Sequence, residues 1–239
     1  MSILGAVIVP HPPLIIPAVG RGLEQEVQTT IDAYRTVAKQ VAAWNPEVLI
    51  VTSPHQIMYA DYFHISPGRG ATGDMSAFGA AQTKLQVEYD EVLRDEIIRC
   101  GEAAGLQVGT LGQRDPYLDH GTFVPLYFLR EAGVDCPILR IGLSGFSPLD
   151  HYRLGQCIAQ AVENLGRRTV FIASGDLSHK LRDDGPYGFA PEGPEFDRQV
   201  TEAMAAGDFL RFLTMDLPLC ERAAECGLRS FQIMAGALD

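Results

Sequence analysis

The sequence lacks several features that would define its class at once. No apolar run approaches the roughly 18 residues of a transmembrane helix, and no basic region precedes the apolar N-terminal stretch, so we expect neither a membrane span nor a signal peptide. Nineteen Lys and Arg residues against 30 Asp and Glu residues give a net charge of -11, which argues against nucleic-acid binding. The five cysteines form no CxxC pair, which indicates reduced thiols and a cytoplasmic protein.

The composition is that of a globular protein, with 46% hydrophobic and 21% charged residues. Apolar segments and amphipathic segments alternate along the chain. They predict strands at 5–9, 48–52, 62–65, 106–111, 137–142 and 168–173, and helices at 23–43, 88–104, 121–132, 148–165 and, with breaks, from 194 onward. This alternation predicts one α/β domain, residues 1–239, with a central, mainly parallel sheet covered by helices on both faces.

Histidines follow three of the predicted strands. His11 follows the first strand in VPHPP and His55 follows the second in SPH, each beside a proline that restricts the local backbone. His179 lies in the loop after the last strand. Ligands of open α/β sheets bind beyond the carboxyl ends of the strands, so we expect these side chains at one edge. Two of the remaining three histidines are less favourable, because His64 lies inside a strand and His151 at a helix start.

Each histidine has two interpretations from the sequence alone. His11 and His55 are either a pair of metal ligands or residues of solvent-facing turns. His179, in the polar loop ASGDLSHKL, either transfers protons, since the pKa of imidazole lies near neutrality, or belongs to an ordinary turn. His120 is either the first residue of a helix or a second proton donor in the same pocket.

A metal ion bound by two histidines needs a third ligand, which is usually anionic. The segment LCERAAECGLRS offers Glu221, Glu225 and Cys226, although glutamates on a helical face are more often solvated. Two histidines with one carboxylate leave open positions on iron and suit Fe(II) and O2 chemistry.

Two other motifs are incomplete. Residues 68–73, GRGATG, match GxGxxG, but Pro67 separates them from the preceding strand and no clear amphipathic helix follows, so we predict a flexible loop and no dinucleotide site. The segment GLSGF around Ser144 is one residue short of a nucleophile elbow.

Five motifs in order resemble the class III (LigB-type) extradiol dioxygenase superfamily. They are VPHPP, SPH, DHG, SGDLSHKL followed by DGPYGFAPEGPEFD, and ECGLRSFQIMAGAL. The nearest likeness is to the bacterial branch related to the MEMO proteins, often found beside AMMECR1 domains. The resemblance implies that His11 and His55 bind iron, that His179 is the acid/base residue and that His120 lies near the substrate.

The resemblance leaves the third ligand open between two patterns. Catalytic members place a glutamate near the C-terminal end, whereas MEMO proteins carry a cysteine in a CG pair there. This sequence has both, because Glu225 directly precedes Cys226. We predict Glu225 as the ligand, with Cys226 as the first alternative and Glu221 as the second.

The activity implied by the resemblance is Fe(II)-dependent extradiol cleavage of a catechol-like or aminophenol-like ring with O2, with Zn or Mn as alternative metals. The first alternative is a MEMO-like, non-catalytic metal-binding or interaction protein, and the second is a metal-dependent hydrolase. A homo-oligomer and an AMMECR1-type domain are the expected protein partners. The family usually continues past the GAL segment, so a missing C-terminal strand or downstream domain fits the pattern. Segments 59–79 and 180–194 are predicted to border the pocket.

Overall fold

Four parallel strands form the central sheet in the computed structural model, which describes residues 3–239. Their order across the sheet is β1 (Ile3–Val9), β8 (Thr169–Ser174), β2 (Val48–Ser53) and β7 (Ile138–Gly142). Every residue of β2, β7 and β8 is buried, as expected for strands that helices cover on both faces. The predicted α/β domain with a mainly parallel sheet is confirmed.

The remaining elements surround this sheet. The helices are α1 (Pro17–Gly20), α2 (Gln28–Trp44), α3 (Glu91–Ala103), α4 (His120–Glu131), α5 (Pro148–Leu165), α6 (Glu192–Ala206), α7 (Leu217–Ala223) and α8 (Leu228–Leu238). Two small sheets pair β3 (Phe63–His64) with β6 (Val108–Gly109), and β4 (Gly70–Met75) with β5 (Ala80–Glu88). Within residues 3–239, none of the helices has the length and apolar character required to cross a bilayer.

The side chains of β2 alternate between two hydrophobic cores because successive residues of a strand point to opposite faces. Leu49 and Val51 join the core that contains residues of α2 and α4. Val48 and Ile50 join the core that contains residues of α5 and α8. The helices therefore cover both faces of the sheet, so the site formed by the loops lies at the ends of the strands.

The carboxyl ends of the strands coincide. Val9 of β1 is paired with Ser174 of β8, and Ser53 of β2 is paired with Gly142 of β7. Because β8 lies between β1 and β2, the segments after these three strands leave the sheet side by side. The order of the strands thus brings residues distant in sequence to one edge.

The structure corrects the sequence prediction between residues 68 and 111. The GRGATG segment is not a flexible loop, because Gly70–Met75 forms β4, antiparallel to β5. Helix α3 begins at Glu91, since the Asp90 side chain accepts a hydrogen bond from the Leu93 amide at 3.0 Å and caps the helix there. The strand predicted at 106–111 contains only Val108–Gly109.

Candidate metal centre

His11 is held rigidly where β1 ends. Its amide donates to Oδ1 of Asp176 at 2.8 Å, and Nδ1 of its ring lies 2.9 Å from the Ser174 hydroxyl. The carbonyl of the preceding residue, Pro10, accepts a hydrogen bond from the Tyr34 hydroxyl at 2.8 Å. The ring is 1% exposed. Backbone and side chain are therefore both fixed before any ligand binds.

His55 approaches His11 from the end of β2. Its amide donates to the Ser53 hydroxyl at 3.2 Å, and the Ser53 hydroxyl in turn donates to the Asp119 carboxylate. The Nε2 atoms of His55 and His11 are 3.0 Å apart. His55 is exposed whereas His11 is buried, so the pair is open to solvent on the His55 side.

His120, the first residue of α4, completes a group of three imidazoles. Asp119 caps α4 by accepting from the Thr122 amide at 3.0 Å. The ring centroid of His120 lies 3.9 Å from that of His55 and 5.5 Å from that of His11. A Cβ on the next residue, Gly121, would overlap the Ser53 hydroxyl, so glycine allows the helix start to pack this closely against β2.

A buried arginine holds the loop that leads to α4. Arg140, in β7, is fully buried and donates from Nη1 to the Tyr117 carbonyl at 2.6 Å and from Nη2 to the Asp115 carbonyl at 2.7 Å. Its Nη1 also lies 3.6 Å from the Asp119 carboxylate. The helix start that carries His120 is therefore anchored to the central sheet.

Asp176 and His179 come from the loop after β8. Oδ2 of Asp176 lies 3.8 Å from His11 Nε2 and 3.3 Å from His179 Nε2. The other ring nitrogen of His179, Nδ1, lies within hydrogen-bonding distance of the Ala224 carbonyl, to which an N–H there would donate. The hydrogen bond that the Asp176 carboxylate accepts from the protonated ring raises the pKa of His179 despite partial burial. Burial opposes ionisation of Asp176, but its contacts with His179 and His11 outweigh this effect and lower its pKa.

Cys226 reaches the same place from the C-terminal part of the chain. A Cβ on Gly175 would overlap the backbone of Gly227, so the two glycines let the segments around them touch backbone to backbone. The Sγ atom of Cys226 accepts from the Asp176 amide at 3.3 Å and lies 3.8 Å from His11 Nε2. Burial, followed by the charge of Asp176, raises the pKa of this thiol to about 12.

The two predicted glutamates lie outside this arrangement. Oε2 of Glu225 accepts from the Leu228 amide at 2.7 Å at the start of α8, and burial raises the pKa of its carboxyl. Glu221 is exposed on α7. Glu225 as the third ligand stays a prediction, and the geometry offers two competitors for it, Asp176 and Cys226.

The donor atoms fit a metal ion. Among residues 3–239, two groups of side chains place their donor atoms within 4.8 Å of one another: His11, His55 and His120, and His11, Asp176 and Cys226. Two nitrogens bound at right angles to one ion at about 2.1 Å lie about 3.0 Å apart. The observed separation of the His11 and His55 Nε2 atoms, 3.0 Å, matches this value and is also that of a hydrogen bond between the two rings.

Sequence reasoning missed three residues of this centre. Asp176 and Ser174 were visible only as part of a polar loop, and Ser53 as the last residue of a strand. A polar residue directly after a buried strand was the available signal for Asp176, since that position faces the ligand edge of a parallel sheet. The roles of the two serine hydroxyls depend on contacts with distant segments, which no local pattern indicates.

The fold is an α/β domain whose parallel sheet carries histidines, a carboxylate and a thiol at its carboxyl edge, the donor groups of a candidate metal centre. The chain belongs to the family described as the catalytic LigB subunit of aromatic ring-opening dioxygenase, whose model matches residues 5–239. Members of this class of dioxygenase depend on a metal ion. The more specific likeness to the MEMO-related branch stays a prediction.

Several individual proteins are similar to this chain. Protein CA_C1420 of Clostridium acetobutylicum is 34% identical over 246 residues, covering 100% of this chain and 53% of that protein. The 2,3-dihydroxyphenylpropionate/2,3-dihydroxicinnamic acid 1,2-dioxygenase of Escherichia coli is 27% identical over 169 residues, 65% of this chain and 51% of the enzyme. The 3,4-dihydroxyphenylacetate 2,3-dioxygenase of Escherichia coli is 25% identical over 207 residues, 79% of this chain and 72% of the enzyme.

The chain spans about half the length of the first two of these relatives. Among solved structures, the uncharacterized protein JW3007 from Escherichia coli K12 superimposes with a TM-score of 0.54 at 16% identity, over 85% of this chain and 81% of that one. At this identity the similarity concerns the fold alone.

Proposed function

We propose that this protein is a non-haem, Fe(II)-dependent extradiol dioxygenase that opens a catechol-like or aminophenol-like ring with O2. The observation that carries the proposal is the 3.0 Å separation of the His11 and His55 Nε2 atoms, beside an anionic carboxylate and a thiol. Membership of the ring-opening dioxygenase family supports the same reaction class. Substrate and O2 are the small-molecule partners this function requires.

His11 and His55 would hold the metal ion together with the Asp176 carboxylate and the Cys226 sulfur, whose thiol would lose its proton on metal binding. The lowered pKa of Asp176 means that its carboxyl group is already ionised at neutral pH and can bind a cation without releasing a proton. Iron held by these residues would supply the chemistry that brings a diol and O2 together. The protein would hold the ligand atoms in place and shield His11 from solvent.

His179 is suited to take the proton from a substrate hydroxyl. An N–H at its Nδ1 would donate to the Ala224 carbonyl, which leaves Nε2 as the atom that gains or loses a proton. That Nε2 lies 3.3 Å from the Asp176 carboxylate, and a carboxylate stabilises the protonated ring. The raised pKa of His179, caused first by the hydrogen bond that Asp176 accepts, means that the ring holds an acquired proton more strongly than a free imidazole.

Two exposed aromatic rings border the candidate catalytic histidines. The ring centroid of Phe78 lies 5.5 Å from that of His120, and the centroid of Tyr187 lies 4.9 Å from that of His179. Both come from segments predicted to border the pocket, 59–79 and 180–194. Flat apolar surfaces on both sides would favour a planar aromatic substrate, because aromatic rings stack or meet edge to face.

A second function is favoured by one observation, the thiol of Cys226 at 3.8 Å from His11 Nε2. Thiolates suit zinc and copper(I) as well as iron. The alternative is therefore a MEMO-like protein that binds or handles a metal without ring cleavage. Tight metal binding together with no O2 consumption in the presence of any tested catechol would favour it.

The test is anaerobic loading with Fe(II), followed by exposure to air with a panel of catechols and aminophenols. We expect O2 consumption and yellow ring-opened products. Iron content of Asp176→Asn, Cys226→Ala and Glu225→Gln then identifies the anionic ligands, and we expect loss in the first two and retention in the third. Loss of iron in Glu225→Gln alone would support Glu225, the ligand predicted from the sequence.

A further inference from the structure

The side chain that lies beneath His11 is a serine at the end of β8. Ser174 is fully buried, and its hydroxyl has two neighbours among the described residues. It donates to the Gly121 carbonyl at 2.6 Å, and it lies 2.9 Å from Nδ1 of His11. A hydroxyl has one hydrogen, so once that hydrogen is given to the carbonyl, only its lone pairs face the imidazole.

The Gly121 carbonyl is available to Ser174 because of a proline. In an α-helix, a carbonyl accepts from the amide four residues later, which for Gly121 is residue 125. Pro125 occupies that position inside α4 and has no N–H to donate. The carbonyl at the first turn therefore lacks this intrahelical donor, and the buried serine hydroxyl takes its place.

This chain of contacts determines which nitrogen of His11 carries the proton. Since the Ser174 oxygen can only accept from the ring, Nδ1 of His11 must be the N–H donor. The neutral ring then has its lone pair on Nε2. That atom is the one that lies 3.0 Å from His55 Nε2 and 3.8 Å from both the Asp176 carboxylate and the Cys226 thiol.

We infer that Pro125, the Gly121 carbonyl and Ser174 act together to fix the Nδ1–H tautomer of His11, which makes Ser174 the positioning residue for metal binding at Nε2. The role in metal binding rests on the proposed function, whereas the tautomer is a property of the metal-free protein. An imidazole free to change tautomer would present a proton to the metal part of the time. Outer hydrogen bonds of this kind contribute roughly 10- to 100-fold to metal affinity in other proteins.

The wild-type protein itself supplies the first test. ¹⁵N NMR of histidine-labelled, metal-free protein in alkaline buffer distinguishes protonated from unprotonated ring nitrogens, and assignment follows from loss of the signals in His11→Gln. We expect a single Nδ1–H tautomer for His11. An Nε2–H tautomer, or a rapidly exchanging mixture, would overturn the inference without any other variant. This readout does not involve turnover, so its failure is distinct from failure of the proposed enzyme activity.

The second test uses variants with a matched control. Ser230 is also fully buried and donates to the Ser174 carbonyl at 2.9 Å, but it has no hydrogen bond to His11. We expect Ser174→Ala to mix the His11 tautomers and to weaken Zn(II) binding roughly 10- to 100-fold. Ser174→Thr keeps the hydroxyl and should keep the single tautomer and the Zn(II) affinity of the wild type. Ser230→Ala should leave the tautomer and the affinity unchanged. Equal effects of the alanine variants at 174 and 230 would make the role merely structural and refute the proposal.

Pro125→Ala tests the first link. It gives α4 an N–H that competes for the Gly121 carbonyl, so the serine hydroxyl becomes free to donate to the ring part of the time. We expect a measurable population of the Nε2–H tautomer in the same NMR experiment. An unchanged, single tautomer in a folded Pro125→Ala protein would remove the proline from the mechanism.

Discussion

Two buried histidines of this protein have the same burial but opposite surroundings. His11 is 1% exposed and His151 is 0% exposed, and burial lowers the pKa of both to about 4. In His151, Nδ1 lies 2.9 Å from the Ser147 carbonyl and Nε2 accepts from the Ser144 amide at 3.4 Å. In His11, Nδ1 is bound but Nε2 faces the nitrogen of another histidine, a thiol and a carboxylate.

This comparison shows that neither burial nor a lowered pKa identifies a ligand histidine. The distinguishing feature is what the second nitrogen meets. At His151 it meets an N–H, which satisfies a lone pair, so the residue holds the loop between β7 and α5 together. At His11 it meets a second imidazole, a carboxylate and a thiol, all of which are groups that can bind a metal ion.

The largest expected effect separates catalysis from metal binding. His179→Ala removes the proposed proton acceptor and should lower turnover by roughly 10²- to 10⁴-fold. Iron content should stay near the wild-type value, since His179 contacts Asp176 but belongs to neither group of metal-donor atoms among residues 3–239. The measurements are O2 uptake and metal analysis on the same preparation. Iron loss in parallel with activity would contradict the assigned role.

Removing a proposed ligand should affect the metal itself. His11→Ala or His55→Ala should weaken metal affinity by at least roughly 100-fold, because a ligand contributes no less than its supporting hydrogen bonds. His64→Gln is the control, since His64 is buried in β3 and belongs to neither donor group among residues 3–239. Titration with Zn(II) measures all three. Full affinity in both alanine variants would mean that the metal binds elsewhere.

Acid should destabilise the fold through His151. Its folded-state pKa is about 4 against 6.5 when unfolded, so the unfolded chain binds the extra proton first. The contribution of neutral His151 to the free energy of unfolding is complete above pH 6.5. It is lost as the pH falls towards 4, and the total loss is about 3 kcal/mol. Urea unfolding of metal-free wild type and His151→Asn across this range should therefore converge at low pH.

A parallel pH dependence of the two unfolding free energies would place the titrating group elsewhere. The same experiment sharpens the comparison with His11, because metal should suppress the acid sensitivity of the metal-site histidines but leave that of His151 unchanged.

The smallest effect concerns the aromatic border. Phe78→Ala or Tyr187→Ala should raise KM roughly two- to tenfold, equivalent to about 0.5–1.5 kcal/mol for one aromatic contact, with kcat nearly unchanged. Phe189→Ala is the control, since Phe189 is exposed near Tyr187 but stacks on neither catalytic candidate in the described structure. A change in kcat alone would indicate that these rings position His120 or His179 and do not contact substrate.

Much of this architecture was predictable from the sequence because the buried strands are continuous apolar runs. The positions of His11 and His55 followed from the same reasoning, since each comes directly after such a strand. The β4–β5 hairpin was not predicted because a glycine-rich segment, Gly70–Met75, becomes a strand only through its partner β5. The sequence prediction names Glu225 and does not include Asp176, because a sequence pattern does not show which side chains lie near His11.

The contact between Gly175 and Gly227 has a consequence for biosynthesis. Chains are made from the N-terminus, and the imidazoles, the serine and the aspartate are all synthesised well before the cysteine. The thiol joins them only when the C-terminal glycine closes against its earlier counterpart. Because Cys226 is the last of these groups to be synthesised, a chain that stops short of residue 226 would carry the imidazoles, the serine and the aspartate without the thiol.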